Sequence, residues 1–182
     1  MQKKKPTDIH NPNSIIFHDD SMLHYALSNE YLAAPFIVNG ISYKTPEHYF
    51  QSEMFSDPII KQRIINADTS SIAQQLANSN RPLMIVQPSR TNNSTVVTGD
   101  KVIADKNNVM LKALRAKFSQ HWKLGAELIS TTGKQLINHT IEDSYWGDGG
   151  DGSGENYLGK LLEQVRDELN SGTLTFSQPF YE

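Results

Sequence analysis

The sequence contains no cysteine, which excludes a disulfide scaffold, a thiolate nucleophile, an iron-sulfur cluster and Cys-ligated zinc. Charge is also sparse. Only 20% of the residues are charged, and 17 Lys plus Arg against 20 Asp plus Glu give a net charge of -3 and a pI near 6.1. Such a balance offers no global attraction to a phosphate backbone, so nucleic acid is not a favoured partner and any contact with it would be local. Long apolar runs are missing: none approaches a membrane-spanning length, and Lys3, Lys4 and Lys5 are followed by no apolar segment. The expectation is a soluble, cytoplasmic protein with no membrane partner. What is present suffices for a core, since 182 residues with 37% hydrophobic and 9% aromatic side chains are enough for one globular domain. Residues 1–13 read as a disordered or tag-like start and 14–182 as a single domain, broken by a polar insertion at about 83–106.

Local grammar gives the elements. Asn39-Gly40 between Phe36-Ile37-Val38 and Ile41-Ser42-Tyr43 is a hairpin signal, because both turn residues tolerate positive φ. Thr45-Pro46-Glu47 then reads as an N-cap, a proline at the first helical position and an acid in the first turn, opening a helix to about Phe55. Asp57-Pro58 opens the next in the same way, and helices are expected over 59–66 and 70–78. Val96 to Ile103 suggests a small hairpin inside the insertion. Apolar residues at helical spacing, Met110 to Phe118, Leu124 with Leu128, and Leu158 to Leu169, form core stripes, with a strand expected at Gln135 to Ile141. The fold class is α+β, mostly helical with one or two small β-hairpins.

Two constellations can carry chemistry. Residues 143–156, Asp-Ser-Tyr-Trp-Gly-Asp-Gly-Gly-Asp-Gly-Ser-Gly-Glu-Asn, hold five of the chain's 11 glycines and run into the last helix, whose first N-H groups favour an anion. The plain alternative is a solvated acidic linker. Gly147, Gly149 and Gly152 fit G-x-G-x-x-G, but no strand leads into them and Gly172 stands where a ribose-binding acid would, so the dinucleotide fingerprint fails. Trp146 offers a face for a base, or a core anchor; Asp143 is the carboxylate beside it. The second constellation is Glu47-His48-Tyr49-Phe50-Gln51, where helical spacing groups Glu47, Phe50, Gln51 and Met54 on one face. Glu47 is either a titrating group of a site or a partner of the helix dipole.

Together these residues resemble the YbiA-like or NADAR family. The resemblance runs through Leu27-Ser28-Asn29, Pro35-Phe36 to Gly40, Glu47 to Gln51, Leu114-Arg115-Ala116-Lys117-Phe118 and the segment Asp143 to Gly159, closing with Arg166 and Leu169. Members are N-glycosidases acting on phosphoribosylamine intermediates of riboflavin synthesis, or remove ADP-ribose from guanine in DNA. The resemblance implies Glu47 and Asp143 as catalytic carboxylates, with Ser28, Asn29, His48, Gln51, Trp146, Gly147 and Asn156 binding substrate in a pocket between the Glu47 helix and the 143–156 loop. The chain departs from the pattern at Met54, where the family has a lysine, at Asn138, where it has an acid, at Glu30, where an aromatic is common, and at the insertion, where a tryptophan is lost.

The function expected is hydrolysis of the C-N glycosidic bond of a phosphoribosylamine-type nucleotide, with a ribose-phosphate or ADP-ribose-like ligand and neither metal nor redox cofactor. A carboxylate suits the positive charge that develops on the sugar, and a second group moves the proton. The alternatives are a module that binds ADP-ribose or a related nucleotide without turnover, and an ADP-ribosyl-guanine hydrolase acting on DNA.

Overall fold

The computed structural model describes residues 11–80, 96–98, 101–103 and 105–177, with the backbone alone for 96–98 and 101–103. In chain order the elements are β1 (Ser14–Phe17), a 3-10 turn (Tyr25–Leu27), β2 (Phe36–Val38), β3 (Ile41–Tyr43), α1 (Pro46–Glu53), α2 (Pro58–Ile65), α3 (Ser70–Asn80), β4 (Val96–Thr98), β5 (Lys101–Ile103), α4 (Lys106–Gln120), α5 (Trp122–Ser130), β6 (Gln135–Asn138) and α6 (Tyr157–Ser171). Six helices with short strand pairs make an α+β fold. Among the described residues no helix is long and apolar enough to cross a membrane.

The chain forms two compact units. One is Leu32–Lys117; the other joins the described residues before Leu32 to those from Phe118 onward. In the Leu32–Lys117 unit, Asn39 (φ 52°) and Gly40 (φ 79°) turn β2 into β3 as the sequence requires, with Phe36 opposite Tyr43. α1 starts where Thr45 accepts a hydrogen bond from the His48 N-H at 3.3 Å, and α2 where Asp57 accepts from Ile59 and Ile60. Such caps are each worth about 1 kcal/mol. α1, α2 and α3 pack on one another, and Phe36, Val38, Tyr43, Tyr49, Ile65 and Ala113 form a core that ties the hairpin to α1 and α4. The hairpin expected in the insertion is present, Val96 pairing with Ile103, while the rest of that insertion lies mostly outside the described residues.

In the other unit β1 and β6 pair in parallel, Ser14 against Gln135 through Phe17 against Asn138. α6 lies on β6 with Leu158, Leu161, Leu162, Val165 and Leu169 buried, and α5 packs beside it. This apolar stripe is the one read from the sequence, and the left-handed Gly172 (φ 73°) ends the helix. Two expectations are corrected. The expected strand at Gln135 to Ile141 stops at Asn138, and its partner β1 was not foreseen, because a parallel pair joined across more than a hundred residues leaves no local turn signal. Residues 11–13 belong to the fold and not to a loose tail: the Asn13 carbonyl accepts from the Gln135 N-H at 2.8 Å and the Asn11 carbonyl from Ser14 at 2.9 Å. Residues before Asn11 lie outside the described part.

Candidate functional site

α1 buries every residue from Pro46 to Ser52, polar ones included. Buried polar groups are costly unless bonded, and α1 meets that requirement locally. Glu47, 5% exposed, accepts at Oε1 from the Gln51 Nε2 one turn later, at 2.7 Å. Ser52 Oγ donates to the Tyr49 carbonyl. His48 is wholly buried; its Nε2 donates to the Ala67 carbonyl at 3.1 Å and its Nδ1 meets Thr45 Oγ at 2.8 Å. Burial holds the His48 imidazole below the usual histidine range, opposed by the Ala67 hydrogen bond. With both nitrogens used inside the protein, His48 is a strut between the start of α1 and Ala67. Met54, expected to share a pocket with Glu47, is 2% exposed and counts among the largest fully buried side chains.

The second constellation lies in the other unit. Asp143 turns its Oδ1 back to the N-H groups of Tyr145 (2.7 Å) and Trp146 (2.8 Å), an Asx turn that sets the direction of the two rings. Trp146 is half-buried and meets Tyr145 edge-on at 5.1 Å, and Tyr145 in turn stacks on Tyr157 at 4.5 Å. Gly147 is buried where a Cβ would approach the carbonyls of Asp143 (2.7 Å) and Asn138 (2.9 Å), so glycine is required there by packing. Asn156 adopts a left-handed conformation at the start of α6 without capping it. Its side chain reaches β6 instead, donating to the Leu136 carbonyl at 2.8 Å and accepting from the Asn138 N-H at 3.0 Å.

This geometry shows how the expected phosphate cradle is built. The N-H groups of Asn156, Tyr157 and Leu158, at the start of α6, go to the carbonyls of Gly147, Tyr145 and Trp146 at 2.9 to 3.1 Å. Glu155 donates to Ser144 and Gly154 to Asp148. The glycines let the loop bond to itself, and these amides and the Asn156 side chain are all paired inside the fold.

Ser28 is buried, with its Oγ accepting from the Glu30 N-H at 3.2 Å, and Asn29 is half-buried beside it. Among the expected residues, the structure thus joins Glu47 with Gln51 in one unit, and Asp143, Trp146, Gly147 and Asn156 in the other. The sequence reading missed Asp148. It is wholly buried, takes the Thr140 and Gly150 N-H groups on Oδ1, and takes the His139 Nδ1-H on Oδ2 at 2.9 Å. A lone Asp between glycines carries no sequence signal for such a role. Lys117, also missed, is 0% exposed on α4. Among the described residues no cluster of His, Asp and Glu is placed to hold a metal ion.

Comparison with known proteins agrees with the pattern of these residues. The profile of the NADAR domain matches residues 16–170, across both units. N-glycosidase YbiA of Shigella boydii is 37% identical over 161 residues, covering 85% of this chain and 91% of that protein. N-glycosidase YbiA of Escherichia coli is 36% identical over 160 residues, with the same coverage. A riboflavin biosynthesis protein of Vibrio vulnificus is 30% identical over 155 residues, covering 85% of this chain but 38% of its own length. The NMR structure of E. coli YbiA superposes with a TM-score of 0.68 at 36% identity, over 92% of this chain and 90% of that one. By its matched residues, its identity to these relatives and its fold, the chain belongs to the NADAR domain family.

Proposed function

We propose that this protein is a hydrolase of N-glycosyl bonds whose substrate is a phosphoribosylamine-type nucleotide of the riboflavin pathway. The observation that carries the reading is Glu47: a carboxylate 5% exposed, fixed by Gln51 at 2.7 Å, on a helix whose other buried polar groups are committed to structure. Cleavage at the ribose anomeric carbon builds oxocarbenium-like charge, which a carboxylate stabilises, and water must lose a proton to attack. Glu47 fits either task. In the other unit, Trp146 keeps its expected role as a face for a base, with its N-H held by Asp143 Oδ1 at 2.8 Å, and Asp143 keeps its expected role as a carboxylate. The relatives named N-glycosidase and riboflavin biosynthesis protein support the reaction class and the substrate class respectively.

The test is release of ribose 5-phosphate from a phosphoribosylaminopyrimidine by the purified protein, lost in Glu47→Gln. Release that survives the substitution removes Glu47 from the reaction. One observation favours a second reading, a module that binds ADP-ribose without cleaving it. Where the family pattern has a lysine, this chain buries the thioether of Met54, which forms no imine with an opened ribose. Tight binding of ADP-ribose by calorimetry, with no sugar released from either ligand, would decide for that reading.

A further inference from the structure

We propose that His139 gives the proton to the leaving nitrogen in N-glycoside cleavage, and that the wholly buried Asp148 is the positioning residue that fixes its ring. The proposal rests on the assignment of this protein to N-glycosyl hydrolysis and deepens it.

His139 stands directly after β6, where its N-H bonds to the Phe17 carbonyl of β1 at 3.2 Å. Asp148, 0% exposed, reaches it from the loop. Its Oδ1 holds the Thr140 and Gly150 N-H groups at 3.2 and 2.9 Å, and its Oδ2 stands 2.9 Å from His139 Nδ1. A carboxylate only accepts, so the ring carries a proton on Nδ1 and turns its Nε2 away from the carboxylate. The ring is 27% exposed, and among the described residues Nε2 has no hydrogen-bond partner. Nor is Nε2 a buried orphan, since among the described residues the buried side-chain polar atom without a partner is Arg166 Nε. One nitrogen is fixed from inside the fold and the other is open to solvent.

The two oxygens of Asp148 have separate tasks. Oδ1 closes the loop, which an asparagine oxygen would do as well. The second acceptor is what an amide cannot supply, and it is spent on a ring outside the core. Three other histidines lack this combination. His18, at the end of β1, meets Asn138 Oδ1 at 3.2 Å, a neutral amide that gives an imidazolium no counter-charge. His24 meets Glu127 at 3.3 Å, a partly exposed carboxylate that water screens. His48 is wholly buried with both nitrogens used.

The Asp148 N-H bonds to the Asn138 carbonyl at 3.0 Å, and Gly147 lies against the same carbonyl. Trp146 directly precedes this seat, so one segment carries both the ring expected to face a base and the carboxylate that aims His139. In the reaction, the imidazolium gives the Nε2 proton to the nitrogen as the C1-N electron pair leaves with it, and Asp148 Oδ2 holds the Nδ1-H throughout. Water then bonds to C1 and returns a proton to Nε2, which restores the imidazolium.

The experiment compares the wild type with Asp148→Asn, His139→Gln and the double variant, by release of ribose 5-phosphate from a phosphoribosylaminopyrimidine and by melting temperature. 15N NMR of the His139 ring is added for the wild type and Asp148→Asn, at a pH well above the ordinary histidine value of about 6.5. The neutral wild-type ring is expected to carry its proton on Nδ1. Asp148→Asn keeps an oxygen for Thr140 and Gly150 but turns an NH2 group toward Nδ1, so the proton moves to Nε2 and the imidazolium loses its acceptor. kcat then falls by about 10² to 10⁴ with KM little changed. His139→Gln falls as far, and the double variant no further, because the two residues act as a unit. A wild-type ring with its proton on Nε2 overturns the proposal, as does an undiminished kcat in Asp148→Asn, whatever happens to its melting temperature. Should Asp148→Asn fail to fold, an undiminished kcat in His139→Gln is equally fatal, and a fall of about 10² or more at an unchanged melting temperature upholds the proposal. A wild type that releases no ribose 5-phosphate fails the hydrolase reading itself and this proposal with it, whereas release that neither substitution changes fails this proposal alone.

Discussion

The helix α1 and the loop of residues 142–156 both bury polar groups, and they do it by opposite means. In α1 the backbone is satisfied by the helix itself, which leaves side chains to be polar at chosen points: Glu47 with Gln51, His48 with Thr45 and the Ala67 carbonyl. In the loop the backbone has no regular ladder, and its N-H groups are closed by its own carbonyls, by the Asn138 carbonyl, by Asp143 and by Asp148. The helix therefore concentrates chemistry in side chains. The loop concentrates geometry in its backbone, with Trp146 as the side chain it presents. A substitution that keeps the shape of a side chain should hurt function on α1 and leave its stability alone, whereas at the loop and its seat on β6 even a methyl group should be felt as loss of structure.

The largest effect tests the helix. Glu47→Gln keeps size and the ability to accept from Gln51 but removes the titrating group, and kcat should fall by about 10² to 10⁴, equivalent to about 3–5 kcal/mol in the barrier. Thermal melting should barely change. A large drop in melting temperature would show the carboxylate to be structural and would erase the contrast with the loop.

The next effect tests the seat of the loop. Gly159 faces β6 so closely that a Cβ would collide with the Leu136 carbonyl and press on the Asn156 side chain at 2.5 Å. Gly159→Ala should cost about 2 kcal/mol, an overpacking strain reduced by the ~1 kcal/mol that alanine gains in a helix. The midpoint of urea unfolding measures it. A stabilised variant would mean that α6 and β6 separate with ease and that the loop is not held from below. Trp146→Ala follows, weakening nucleotide binding by about 1–3 kcal/mol if the ring stacks on a base. An unchanged affinity with a large fall in melting temperature would instead assign the ring to the core, and calorimetry with a melting curve separates the two.

The same contrast explains what the sequence could reveal. Elements written in local grammar are legible: Thr45-Pro46 and Asp57-Pro58 start helices, Asn39-Gly40 turns the hairpin, and the leucines of α6 are buried where their spacing puts them. The pairing of β1 with β6 is not legible, since four residues near the start and four near position 135 share nothing local. At the site, spacing alone leaves Glu47 a partner of the helix dipole and a lone Trp146 a core anchor, and it is the resemblance of their motifs to the NADAR family that makes them candidates. What sequence could not show at the site has one cause. His48, Asn156 and the amides at the start of α6 carry the right atoms for a ligand, but sequence does not tell whether the fold has already used those atoms. Asp148 escaped for the complementary reason, its role lying in two backbone N-H groups that any sequence possesses and in a histidine nine residues away.

The smallest expected effect lies on the dry side of α1 and isolates a structural histidine from the charge chemistry next to it. Burial depresses the His48 pKa in the fold, while in the unfolded chain the ring titrates near its ordinary value of about 6.5. The unfolded state therefore takes up the proton first as the pH falls. The stability contributed by neutral His48 is complete above about pH 6.5 and drains away below it, until the pH reaches the lower folded value. His48→Gln keeps a donor for the Ala67 carbonyl and an acceptor for Thr45 but has nothing to titrate, so it should lose this dependence. The measurement is urea unfolding at pH values on both sides of about 6.5. The wild type should lose stability toward the acid side faster than the variant does. Parallel curves would mean that the His48 ring is protonated without cost, and the strut between α1 and Ala67 would then be a weaker constraint on the position of Glu47 than its two hydrogen bonds imply.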